Sequence, residues 1–106
     1  MKIYQELYVS EELEKRRDDV IQKLKEDKIQ WNIYLIVLVG HNNSQLEIVN
    51  STLLVHKLFP REGIIIVGIA KGKSQAMELI KEIVSSIYAK TGKVDIRKFI
   101  LGDSRI

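Results

Sequence analysis

The stretch "IYLIVLVG", residues 33–40, decides how the rest of the chain is read. Its apolar run is too short to cross a membrane, which takes ~18–20 residues, and it is rich in β-branched side chains. A strand with both faces covered has this composition. "GIIIVGIA", residues 63–70, has it again. Two such strands joined through a helical stretch imply a right-handed parallel crossover. The expected fold is therefore α/β: a small single-domain open sheet over 1–106, mainly parallel, in the order β-α-β-α-β-α, with a short C-terminal strand or helix.

Outward from these strands, "KIYQELYV" (2–9) alternates Ile3, Gln5, Leu7 and Val9 with Lys2, Tyr4, Glu6 and Tyr8, the period of a half-exposed edge strand. Ser10 stands at an N-cap position before Glu11 and Glu12, so a helix is expected to about Lys28, with Leu13, Val20, Ile21 and Leu24 as its apolar stripe. Trp31, just ahead of the first apolar run, is expected to close the bottom of the core. After Gly40 and "HNNS", Ser44 and Glu47 have capping-box spacing, which predicts a second helix over 44–59. That helix would carry Leu46, Val49 and Leu53 on one face and Ile48, Val55 and Phe59 nearly opposite. A single sheet cannot bury both faces, so Ile48, Val55 and Phe59 are the expected interface of a homodimer. Pro60 and Gly63 supply a turn. Over 74–91, Ala76, Leu79, Ile80, Ile83, Val84 and Ile87 follow helical spacing, and Gly92 closes that helix as a left-handed cap. In the tail, Val94, Ile96, Lys98 and Ile100 alternate as in a strand, while Asp95 equally caps a short helix through Leu101.

Composition removes several functions. The 106 residues hold one core rather than two, and with no cysteine the chain makes no disulfide, thiolate metal site or cysteine nucleophile. The two histidines, His41 and His56, lack a zinc-ligand pattern, so no metal or cofactor is implied. The polar, acidic start offers no signal h-region, which leads to the expectation of a cytoplasmic protein. A net charge of +3, with "EELEKRRDDVIQKLKEDK" interleaving the signs, reads as a solvated face. It does not favour nucleic acid unless the fold gathers Lys71, Lys73, Lys90, Lys93, Arg97 and Lys98.

"GIAKGKS" (68–74) falls one residue short of a phosphate-binding loop, because Gly68 and Gly72 enclose three residues where the motif has four. No later strand offers an aspartate for magnesium. In a parallel sheet, however, His41, Asn42, Asn43 and Ser44 would share one rim with Lys71, Gly72, Lys73 and Ser74, suited to a phosphate or carboxylate. No acid, base and nucleophile assemble into a catalytic set, which leaves open whether the protein is an enzyme. Two functions follow from these residues: a non-enzymatic module acting by self-association or partner binding, and a small-anion or nucleotide-phosphate binding domain using the 41–44 and 71–74 loops.

Overall fold

The computed structural model describes residues 1–39, 46–56, 59, 62–93 and 95–102. Gly40, His41, Asn42, Asn43, Ser44, Pro60 and Val94, named above, lie outside the described residues. The elements in chain order are β1 (Lys2–Val9), a 3₁₀ segment (Glu11–Arg16), α1 (Arg17–Lys25), β2 (Ile33–Val39), β3 (Glu47–Asn50), a second 3₁₀ segment (Ser51–Val55), β4 (Ile64–Lys71), α2 (Gly72–Thr91) and α3 (Ile96–Leu101). The domain is α/β with a four-stranded open sheet in the order β1-β4-β2-β3. No helix among the described residues is long and apolar enough to cross a membrane.

The sheet is mixed rather than mainly parallel. β1 runs parallel to β4, whereas β2 is antiparallel to both β4 and β3. β2 already runs opposite to β1, and its opposition to β4 comes from the segment expected as the 44–59 helix. Glu47 sits in β3 opposite Val37 instead of closing a capping box, and Asn50 caps the 3₁₀ segment by accepting from the Thr52 amide at 3.0 Å. The pattern that looked like a helix with two apolar faces is a strand with two covered faces. Leu46 and Ile48 pack with the α2 core, while Val49 and Phe59 pack with the core on the other side. A hairpin from β2 to β3 reverses the chain once, so the crossover that follows delivers β4 antiparallel to β2. Ile48, Val55 and Phe59 therefore do not form one helix face; all three are half-buried.

The sheet divides the core of the domain into two layers, one on each face. Ala76, Leu79, Ile83 and Ile87 of α2, with Ile96 and Ile100 of α3, cover one face against Tyr4, Ile36, Leu38, Ile65, Val67 and Ala70. Leu13, Val20, Leu24 and Leu54 cover the other against Ile33, Leu35, Val37, Ile64, Ile66 and Ile69. β1 is an edge strand as expected, but Tyr4 on its supposedly open side is buried under α2. Gly92 caps α2 with φ 72°, its N–H donating to the Tyr88 carbonyl at 2.7 Å. The tail takes the helical alternative, with Asp95 accepting from the Lys98 amide at 3.0 Å.

Alternation in β4 breaks at Val67 and Gly68. Gly68 lies opposite Ile36 and Ile66 opposite Val37, which leaves Val67 as the extra residue of a β-bulge. Gly68 then faces α2 beside Val67, at a point where a Cβ would lie 3.1 Å from Leu79 Cδ2 and 3.3 Å from the Tyr8 carbonyl oxygen.

Candidate anion-binding groove

Because β1 and β4 are parallel neighbours, their carboxyl ends meet on one edge of the sheet. The antiparallel β2 brings its first residue there as well, with Ile33 opposite Lys71. Ser10, expected as a helix cap, makes no side-chain cap bond. It extends the β1–β4 pairing instead: its N–H donates to the Ile69 carbonyl at 3.0 Å, and its hydroxyl accepts from the Lys71 amide at 3.3 Å.

Strand β4 passes into α2 with no residue between Lys71 and Gly72. Gly72 absorbs the change of direction at φ 78°, and its N–H donates to the Asn32 carbonyl at 2.8 Å. This junction is not a phosphate-wrapping loop. Gly68 lies inside the strand, and the Gly72 N–H that would face a phosphate is bonded to the chain itself.

Of the cations at this end, Lys28 comes from the turn before β2. α1 ends in a Schellman motif: Lys28 N–H donates to the Lys23 carbonyl at 3.0 Å, Asp27 N–H to the Leu24 carbonyl at 3.2 Å, and Asp27 itself is left-handed at φ 56°. The motif folds Lys28 back over Lys23. Asn32, also left-handed at φ 58°, then turns the chain into β2 and leaves Trp31 outside, 81% exposed, not at the bottom of the core. Lys71 Nζ lies 5.9 Å from the centroid of the indole.

Together these turns enclose a groove of about 320 Å³, lined by Arg16, Lys23, Lys28 and Lys71 with Ile29, Gln30, Trp31 and Ile33. Among the described residues no carboxylate lines it. Lys23 pairs with Asp19 at 3.1 Å and Lys28 with Glu26 at 3.2 Å, both at the surface. Exposed pairs of this kind are worth about 0–1 kcal/mol and yield readily to a stronger anion. The Gln22 amide and Lys28 hold the Glu26 carboxyl below its ordinary value. Gln30 is 6% exposed; its Nε2 donates to the Val20 carbonyl at 3.2 Å and its own carbonyl accepts from the Ser51 hydroxyl at 3.3 Å. Its side-chain oxygen is buried without a hydrogen-bond partner.

Of the residues nominated from the sequence, Lys71 lines this groove and Gly72 shapes its edge, while Lys73 and Ser74 are exposed on the first turn of α2 outside the lining. Val39, at the end of β2, pairs with Ile64, seven residues along β4 from Lys71, or about 23 Å at ~3.3 Å per residue, while residues 41–44 themselves lie outside the described residues. Lys90 lies in the last turn of α2 and Lys93, Arg97 and Lys98 follow it, at the end of the helix about 30 Å from its start at ~1.5 Å per residue, so the fold does not gather them with Lys71 and Lys73. A second cleft, of about 210 Å³, collects Glu11, Glu78 and Glu82 beside Gln75. It is no metal centre, since no group of three or more metal-binding side chains able to hold an ion occurs among the described residues.

Comparison with protein-family models, curated proteins and solved structures gives no significant match to this chain.

Proposed function

We propose that the protein is a binding module for a phosphate-bearing anion held in the groove of Arg16, Lys23, Lys28 and Lys71. The observation that carries this reading is the convergence of four cationic side chains on one cleft with no carboxylate in its lining. In such a cleft the surface pairs of Lys23 with Asp19 and Lys28 with Glu26 are weak competitors that an incoming phosphate displaces, and Arg16 offers the planar fork suited to two of its oxygens. Thermal melts in inorganic phosphate and pyrophosphate, against chloride at matched ionic strength, test it. Pyrophosphate at about 100 times its dissociation constant is expected to stabilise the fold by ~2.7 kcal/mol. The shift should fade as salt approaches ~1 M, where the screening length falls to about 3 Å. An unchanged melt in both anions rejects the reading.

Self-association is a second reading, now resting on β3 rather than on a helix. β3 has four residues and, among the described residues, pairs only with β2. Beside it Ile48, Val49 and Phe59 line a largely apolar cleft of about 350 Å³. A second copy adding its own β3 antiparallel would satisfy the free edge and cover the cleft. Light scattering across a concentration series is expected to show a dimer, and a monomer at high micromolar concentration defeats this reading.

A further inference from the structure

We infer that the ligand of the basic groove is a nucleotide unit, its base lying on the indole of Trp31 and its phosphate held by Arg16 and Lys71. The inference rests on the anion reading and adds what the rest of the ligand must be. Trp31 and Ile29, at 81% and 73% exposed, are the most exposed large apolar side chains among the described residues, and both belong to the lining of a cationic cleft. An indole left in water beside cations matches the two halves of a nucleotide, since a base gains by stacking on an aromatic face while its phosphate needs positive charge. Lys71 Nζ lies over one face of the ring, 5.9 Å from its centroid, so the base takes the opposite face and the ammonium stays beside the indole for the phosphate.

A basic surface carrying a tryptophan also suits an anionic membrane, but its shape favours a nucleotide. The surface is concave, with a volume at the lower end of the ~300–1,000 Å³ typical of small-ligand sites.

Trp31 is the sole tryptophan, so its fluorescence reports this site alone. Titration of the whole chain with ADP is expected to quench that fluorescence, and pyrophosphate is expected to compete without quenching. Trp31→Ala, read by calorimetry, is expected to weaken ADP about 5- to 150-fold, as loss of one stacked base does, and to leave pyrophosphate unchanged. Trp31→Phe should recover part of the loss. A short single-stranded oligonucleotide forms the second arm. Tighter binding than ADP makes the nucleotide a residue of a strand, and weaker binding makes it a free nucleotide. If pyrophosphate binds but ADP binds no tighter and does not quench, the base is refuted while the anion reading stands. If neither binds, both fall. Quenching by vesicles rich in anionic lipid, with none by ADP, overturns the inference in favour of a membrane surface.

Discussion

Gly68→Val is expected to lower the stability of the domain by about 1–3 kcal/mol, the range for forcing extra methyl groups into a filled core. The site has no slack. A Cβ there would stand 3.1 Å from Leu79 Cδ2, 3.3 Å from the Tyr8 carbonyl oxygen and 3.4 Å from Ile36 Cδ1. Leu79 and Ile36 can rotate, but the Tyr8 oxygen belongs to the β1 backbone and moves only with the strand. Because the bulge puts Val67 and Gly68 on the same face, two valines in succession would press on α2 where one now fits. Gly68→Ala should cost much less, since one methyl displaces mainly Leu79 and the loss of glycine's extra freedom returns roughly 0.5–1 kcal/mol. Denaturant unfolding measures both: the midpoint falls for valine with little change in slope. An unchanged midpoint for valine would mean that β1, β4 and α2 do not meet as tightly as described.

The elements that could be read from the sequence are those whose pattern has a single physical solution. The stripe from Ala76 to Ile87 is one-sided over roughly three turns, and only a helix buries such a stripe. Gly92 announces a helix end through local chemistry that needs no tertiary context, whereas the cap at Asp95 competes with a strand pattern over the same tail. The segment 46–50 has no such uniqueness: "LEIVN" is apolar on both faces of a strand and, stretched over 44–59, on both faces of a helix. What decides between them is that two sheet faces are covered, a property of the assembled domain. That one element then set the direction of β4, because apolar runs such as 33–39 and 64–70 specify a strand but not its polarity.

The groove was hidden for a related reason. Arg16, Lys23 and Lys28 lie in a stretch where the charge signs alternate, and alternation along the chain looks like a neutral surface. The fold sorts it. Glu11 goes to the cleft beside Glu78 and Glu82, while Arg16, Lys23 and Lys28 go to the groove beside Lys71. The residues that do the sorting are Asp27 and Asn32, both left-handed, a conformation these two side chains tolerate better than most. "EDKIQWN" therefore did hold a signal, two turn-forming residues bracketing an exposed tryptophan, and it was outweighed by the expectation that a lone tryptophan belongs in the core.

If the groove binds phosphate through local charge, Arg16→Glu with Lys71→Glu should weaken pyrophosphate by about 10²-fold or more. Hydrogen bonds to charged groups contribute about 1.5–3 kcal/mol each, and reversal adds repulsion to their loss. The fold should survive, because Arg16 is exposed and the Lys71 backbone bond to Ser10 does not depend on the side chain. This variant also changes the net charge from +3 to −1, since each reversal removes two charges, so the loss alone would not locate the site. Lys93→Glu with Lys98→Glu makes the same change at the far end of α2, on exposed residues. Long-range attraction acts on both doubles alike, whereas direct contact acts only on the first. At ~0.15 M salt the screening length is about 8 Å, well short of the length of α2, and the far pair should alter affinity by less than about threefold. Equal losses in the two doubles would show that the protein attracts anions by its overall charge, and the groove would then have no special claim.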